Sequence, residues 1–226
     1  MKLVIVIPAF NEASIISTVL SKIPKKIEGI SSIVTVVVND GSSDLTPRKA
    51  KNKNVVILNH LLNRGAGAAT KTGLIYAKSI SADIVVTFDA DGQHEHDDIK
   101  KIVKPIIMGR AELVIGSRFL KKQKIPTDRF ILNKGANILT FLLFGVFSSD
   151  SQSGLRAFSK KAIDLIDFKS DRMEFSSEIL LEAKRNNIKI TEIPTRAIYT
   201  DYSKAKGQKN TNALPIFIRF LVKLLR

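Results

Sequence analysis

Two carboxylates spaced i, i+2 directly after an apolar run, Val85-Val-Thr-Phe-Asp89-Ala-Asp91, with Gly-Gln93-His94 following, are the groups in this chain best suited to chemistry. Hard divalent cations take oxygen ligands, and Mg²⁺ characteristically uses one or two carboxylates and completes its shell with substrate phosphates. An isolated Asp-x-Asp is commonly a solvated turn. Here the strand-like run before it and the amide after it argue for a cation–diphosphate site. Two further polar groups also follow apolar runs. In Pro8-Ala-Phe-Asn11-Glu12, Asn11 is expected to cap a helix and Glu12 to face a cleft, with an ordinary strand–helix turn as the plain alternative. In Asn39-Asp40-Gly-Ser-Ser43-Asp44, Ser43 or Asp44 suits a helix cap, and Asp40, nearer the strand end, can accept hydrogen bonds from a nucleobase.

The elements that must position these groups are legible as periodicity. Leu3–Ile7, Ile33–Val38, Val55–Leu58, Ile84–Phe88 and Leu113–Ile115 are short β-branched runs ending in Pro, Asn, Asp or Gly. Continuous apolar strands of this kind fit a parallel sheet covered on both faces. Helical patterns at roughly 12–23, 67–80 and 97–109 alternate with them, which predicts a doubly wound α/β sheet. Ligands of such sheets bind beyond the carboxyl ends of the strands, and all three polar motifs fall there. Beyond about residue 117 the alternation stops. A basic loop over 118–134 leads to an apolar stretch, Ala136–Phe147, then a polar turn at Asp150–Gly154, a helix at 174–186 and a strand over Ile188–Ile193. No Pro/Gly/Ser-rich linker or internal repeat divides the chain. The predicted organisation is one domain, with a nucleotide half at 1–117, an acceptor half at 118–212 and an amphipathic helix at 213–226.

Segment 63–73, Asn63-Arg-Gly65-Ala-Gly67-Ala-Ala-Thr70-Lys-Thr-Gly73, approaches two phosphate-binding patterns and fits neither. Thr70 stands where a P-loop has glycine, and the segment does not follow the first strand as a dinucleotide fingerprint does. Its small residues are expected to let a helix lie close to the sheet or to a nucleotide.

The 226 residues carry 36 Lys+Arg against 21 Asp+Glu, a net charge of +15, so an anionic partner is expected. Hydrophobic residues at 44% and charged residues at 25% exclude wholesale disorder. The absence of cysteine excludes disulfides, thiol nucleophiles and cysteine-ligated zinc. Three scattered histidines argue against a His-rich cage. Segments 118–134 and 201–226 each hold six basic residues and one acid, and each borders or contains an apolar stretch. Anionic lipid accounts for both properties; nucleic acid accounts only for the charge, and no nucleic-acid module is present. The run Leu3–Ile7 stops at Pro8, too short for a secretory signal, and no apolar window reaches the roughly 20 residues of a transmembrane helix. Leu214–Arg226 places Arg219, Lys223 and Arg226 on one helical face. It reads as an interfacial helix lying in the membrane plane, or alternatively as a core helix.

Taken in order, Pro-Ala-Phe-Asn-Glu at 8–12, Asn-Asp-Gly-Ser-Ser-Asp at 39–44, Asn-Arg-Gly-x-Gly-Ala at 63–68, Asp-Ala-Asp-Gly-Gln-His at 89–94 and Gly-Ser-Arg at 116–118 resemble family 2 glycosyltransferases of the GT-A fold. Asp150-x-x-x-Gly154-x-Arg156 and Ser203-Lys204 extend the likeness to the polyprenyl-phosphate branch, typified by dolichyl-phosphate mannose and glucose synthases. The resemblance implies an α/β GT-A domain with a mostly parallel sheet and helices on both faces. It further implies an inverting, metal-dependent transfer of a sugar from GDP-mannose or a UDP-hexose to polyprenyl or dolichyl phosphate. Asp89, Asp91 and Gln93 would hold Mg²⁺ or Mn²⁺. Pro8, Ala9, Glu12, Asp40 and Ala90, with the same Asp89, Asp91 and Gln93, would contact the nucleotide sugar. Arg118, Arg129, Asn133 (where the family often has serine) and Lys204 would meet the acceptor phosphate.

In chemical terms, a metal on Asp89 and Asp91 would offset charge on the leaving nucleoside diphosphate, and Arg118 and Arg129 would orient the acceptor through charge-assisted hydrogen bonds. A phosphate nucleophile with a second pKa near ~6 is already largely deprotonated at pH 7, so a strong base is dispensable. Asp150 is a candidate base or orienting residue, or simply a turn residue. The expected setting is peripheral, on the cytoplasmic face of an anionic membrane, alone, as a homo-oligomer or with a membrane partner subunit, and without nucleic acid. The rival readings are a glycosyltransferase of the same fold using a sugar or protein hydroxyl, a basic nucleic-acid-binding protein, and a partner subunit without turnover.

Overall fold

In the computed structural model, residues 1–51 and 54–199 are described. Seven strands form one sheet: β1 (Lys2–Ala9), β2 (Ser32–Asn39), β3 (Val55–Asn59), β4 (Ile84–Thr87), β5 (Leu113–Ser117), β6 (Arg156–Ser159) and β7 (Ile190–Pro194). Their order is β3-β2-β1-β4-β6-β5-β7. All neighbours are parallel except β6, which runs antiparallel to β4 and β5. Along β1, Val4 and Val6 enter the core on one face while Leu3, Ile5 and Ile7 enter the core on the other. That division is why the strand is apolar throughout rather than alternating.

The helices are α1 (Ile16–Ser21), α2 (Thr46–Ala50), α3 (Ala66–Ser79), α4 (Asp98–Ile107), α5 (Thr127–Phe144), α6 (Lys160–Leu165) and α7 (Phe175–Arg185). Residues of α3, α6 and α7 share one core layer, and those of α1, α2 and α4 share the other. Gly73 lets α3 lie against β1, since a Cβ there would stand 2.1 Å from Val6 Cγ1. The glycines at 65 and 67 serve a different approach. A Cβ at Gly67 would meet the Ser170 carbonyl at 2.2 Å, and one at Gly65 the Asp171 carbonyl at 2.5 Å. These small residues therefore seat α3 against the 170–172 segment as well as against the sheet.

The α/β class, strand positions and long helices agree with the sequence reading, with four differences. The first helix is shorter than 12–23, because Asn11 adopts a left-handed φ of 54° and residues 13–15 form a turn before Ile16. Asn11 does not cap α1. Its Oδ1 accepts from the backbone N–H of Ser43 at 2.9 Å, across to the next motif. The expected basic loop is helical from Thr127, so Arg129 sits in the first turn of α5 and the apolar stretch continues the same helix. Finally, β6 was not foreseen: its four residues begin with a charged arginine and lack the apolar signature of the other strands.

Candidate active site

The parallel strands β1, β2, β4 and β5 end at the same edge, and antiparallel β6 starts there, with Arg156 opposite Thr87 and Ile115. Motifs that lie far apart in sequence therefore converge. The first two are tied directly: Asn11 N–H donates to Ser42 Oγ at 2.9 Å, Glu12 N–H to Thr46 Oγ1 at 2.7 Å and Ala13 N–H to Asp44 at 3.1 Å. Asp44 also accepts the Thr46 N–H at 2.9 Å, which closes the start of α2.

Asp89 and Asp91 leave the end of β4, and the turn passes through Gly92 at a φ of 73°. Asp89 lies 2.9 Å from His94 Nε2, and His94 is 4% exposed. The Asp89 carboxylate also rests on Gly154, where an added Cβ would stand 2.0 Å from Oδ2. Burial disfavours charge on both acids, and the outcome differs between them. The hydrogen bond and charge of His94, with Arg118 and Arg156, outweigh burial and hold Asp89 below the ordinary carboxylate range. Burial followed by the charges of Asp89 and Glu12 pushes Asp91 above it. His94 is raised in turn, because Asp89 and Asp91 overcome the effect of its burial.

Arg118 follows β5 and makes a two-pronged contact with Asp150: Nε to Oδ2 and Nη2 to Oδ1, both at 2.7 Å, with its own N–H also on Oδ2 at 3.0 Å. Asp150 is fully buried. Burial of the Arg118 guanidinium is outweighed by this partner, and its pKa is raised. Both Asp150 oxygens are thus engaged by Arg118, which they hold in place. Asn133 Oδ1 lies 3.4 Å from Arg118 Nη2, and Arg129 Nη1 donates to Gln93 Oε1 at 3.2 Å. The Arg129 guanidinium also lies over the Tyr199 ring, 5.7 Å from its centroid.

Asp40 is nearly buried and its oxygens are occupied. Oδ1 meets His60 Nδ1 at 2.7 Å and the Arg64 N–H at 3.0 Å, while Oδ2 accepts the Gly65 N–H at 2.7 Å. It organises the 60–65 loop beside Pro8 and Ala9. Sequence reasoning missed His60, and it quoted Arg156 in a motif without assigning it to the site. The strand register places Asn39 opposite Asn59, so position 60 beside position 40 is visible only once the strands are paired. Arg156 is 1% exposed; its Nη2 donates to the Ser151 carbonyl, and its Nε and Nη1 have no hydrogen-bond partner. Burial pushes its pKa down to about 10, against the charges of Asp150 and Asp89. Lys204 and the helix expected at 214–226 lie outside the described residues.

Residues 4–166 match the family model described as Glycosyl transferase family 2.

The chain belongs to glycosyl transferase family 2.

This glycosyltransferase is 44% identical to an uncharacterised protein of Methanocaldococcus jannaschii, over 98% of the chain and 90% of that protein. It is 38% identical to the UDP-N-acetylglucosamine–dolichyl-phosphate N-acetylglucosaminyltransferase of Methanococcus voltae, over 96% of the chain and 94% of that enzyme. The likeness thus lies with the polyprenyl-phosphate branch of the family. Among solved structures, glucosyl-3-phosphoglycerate synthase of Mycobacterium tuberculosis, crystallised with Mn²⁺, UDP and phosphoglyceric acid, superposes with a TM-score of 0.69 at 17% identity, over 97% of this chain and 78% of that one. That agreement supports the GT-A fold.

The glycosyltransferase's own residues fit a divalent cation. Asp91 carries charge repulsion from Asp89 and Glu12, and a cation between the acids would relieve it. Among the described residues no group of three or more His, Cys, Asp or Glu is gathered to hold a metal. The two carboxylates would therefore form part of a shell that substrate phosphates complete, as suits Mg²⁺ or Mn²⁺.

Proposed function

We propose that this glycosyltransferase transfers a sugar, with inversion, from a nucleotide-diphosphate sugar to a polyprenyl phosphate such as dolichyl phosphate. The observation that carries the reading is the position of α5. Its first turns bring Arg129 and Asn133 to Gln93 and Arg118, while Ile131, Ile138, Phe141 and Leu142 on the same helix are 51–72% exposed. A phosphate-reading group beside a bare apolar helix face suits an acceptor with an anionic head and a hydrocarbon tail. Exposed apolar patches of this kind mark interaction sites, and Lys121, Lys122 and Lys124 nearby favour an anionic bilayer.

Asp89 and Asp91, with Gln93, would hold Mg²⁺ or Mn²⁺, which supplies positive charge for the departing nucleoside diphosphate. Pro8, Ala9, Glu12, Asp40 and Ala90 line the nucleotide side. Arg118, fixed by Asp150, and Arg129 orient the acceptor phosphate, whose oxygen attacks the anomeric carbon from the side opposite the leaving group. The phosphate is already ionised at neutral pH, so the locked state of Asp150 is compatible with the reaction. A soluble hydroxyl acceptor would need a carboxylate with a free oxygen near it. The donor to test first is UDP-N-acetylglucosamine, given the Methanococcus relative, ahead of UDP-glucose and GDP-mannose. No helix among the described residues is long and apolar enough to cross a membrane. We place the enzyme peripherally on the cytoplasmic face, with donor arriving from water and acceptor from the bilayer.

The test is transfer of radiolabelled sugar from these three donors into organic-extractable short polyprenyl phosphate, with Mg²⁺, with Mn²⁺ and with EDTA. Metal-dependent label in the lipid phase, reduced at least about 10²-fold in Asp91→Asn, is expected with one donor. Label moving only to water-soluble acceptors would overturn the lipid reading.

A further inference from the structure

The segment after β7 is tied to both halves of the site. Thr195 N–H donates to the Ser117 carbonyl at 2.9 Å, Ala197 N–H to Gln123 Oε1 at 2.9 Å and Ile198 N–H to the Gln93 carbonyl at 2.8 Å. Ala197 also forms an isolated bridge with His94. Residues 195–198 are therefore fixed against the chain leaving β5 and against the turn after β4. Tyr199 follows directly, so the segments that carry Arg118 and Gln93 also place its backbone.

The Tyr199 side chain meets both arginines assigned to the acceptor. The Arg129 guanidinium lies 5.7 Å from the centroid of its ring, inside the range of about 6 Å over which a cation is attracted to an aromatic face. Gln93 and a further contact hold Arg129 as well, so the ring is one support among several. At the other end of the side chain, Arg118 is a hydrogen-bond partner of the Tyr199 hydroxyl. A guanidinium donates hydrogen bonds and never accepts them. The phenol oxygen can therefore accept from Arg118, but neither arginine can take the phenol proton. Burial holds this phenol above its ordinary range, against the opposing charges of Arg118 and Arg129, so the proton stays on oxygen at neutral pH.

We infer that Tyr199 is a third acceptor-binding residue, whose phenol O–H donates to the phosphate held by Arg118 and Arg129. A phosphate monoester has a terminal oxygen for each of these side chains. The phenol adds a hydrogen bond without adding charge, so the three groups gather with less mutual repulsion than three cations would. The inference rests on the function proposed above, because it needs a phosphate between the two arginines.

The experiment is calorimetric binding of farnesyl phosphate, and separately of UDP with Mn²⁺, to the full chain as wild type, Tyr199→Phe and Tyr199→Leu. Tyr199→Phe keeps the ring beneath Arg129 and removes only the donor. It should weaken farnesyl phosphate binding about tenfold or more, as expected for a hydrogen bond to a charged group, and Tyr199→Leu at least as much. Binding of UDP with Mn²⁺ should be unchanged in both. In transfer assays, KM for farnesyl phosphate should rise in Tyr199→Phe while KM for the nucleotide sugar stays where it was. Wild-type farnesyl phosphate binding by Tyr199→Phe would overturn the inference, and a loss confined to Tyr199→Leu would reduce the residue to a support for Arg129. Equal weakening of both ligands would overturn it too, as a general disturbance of the site. Each of these results leaves the function reading intact. Failure of the wild type to bind farnesyl phosphate would sink the function reading and this inference with it.

Discussion

Gly154 illustrates how closely the site is fitted around its charged groups. The Asp89 carboxylate occupies the space a Cβ would take, so Gly154→Ala must displace the very group that would hold the cation. Misplacement of about 1 Å at a reacting centre can cost about 10²-fold in rate. Gly154→Ala is therefore expected to lose about that much transfer activity and to bind Mn²⁺ more weakly by calorimetry, while circular dichroism shows an unchanged fold. At this scale the strand end and the i, i+2 spacing singled out Asp89 and Asp91, while Arg118 was singled out through the family resemblance. The sequence was silent on His60, and it placed Arg156 in a motif without giving it a role. Both act through contacts across neighbouring strands, and a lone histidine or arginine in a linear sequence carries no sign of its burial. For Asp150 the residue type left base, acceptor-orienting and turn roles open, and nothing in the linear sequence announced its two-pronged contact with Arg118.

Among the elements, α5 departs furthest from ordinary packing. A surface helix normally turns its apolar stripe inward, yet Asn137 and Thr140 are buried on α5 while Ile138, Phe141 and Leu142 face outward. Asn137 is held by the Ser149 carbonyl and the Ser151 N–H, and Thr140 by Ser177, which is how the polar side can pack inward. The segment's apolar character and its basic flank pointed to lipid in the sequence; that its polar residues Asn137 and Thr140 are the buried ones was not legible, because a burial pattern read from hydrophobicity assumes the apolar side is inside. Leu142→Glu, 72% exposed in the wild type, is expected to change stability by no more than about 0.5 kcal/mol in urea denaturation. The same substitution should abolish sedimentation with anionic phosphatidylserine vesicles. Unaltered vesicle binding would assign membrane contact to another surface.

Across the whole molecule, the sheet is interleaved rather than assembled from consecutive halves. β5 belongs to the first 117 residues, but its neighbours are β6 and β7, both from later in the chain. β4 likewise has β6 as one of its two partners. A fragment of residues 1–117 would leave β5 with no strand to pair and β4 as an uncovered apolar edge, a recognised aggregation hazard. Such a fragment is expected to be insoluble or to unfold without a cooperative transition, as read by thermal circular dichroism. The proposed division into nucleotide and acceptor halves therefore does not coincide with a seam in the sheet. The early alternation of strand and helix made the class legible, whereas the reversal at β6 depends on a four-residue strand too short to announce itself.

On the function proposed above, the outward apolar face of α5 would have a kinetic consequence. An enzyme resting on a bilayer by such a face meets its lipid substrate in two dimensions, and its product stays in the same plane. The acceptor concentration it experiences is then a mole fraction among surrounding lipids rather than an amount per litre. Turnover would follow how thinly the acceptor is spread across the surface, while the nucleotide sugar continues to obey the volume of the surrounding water.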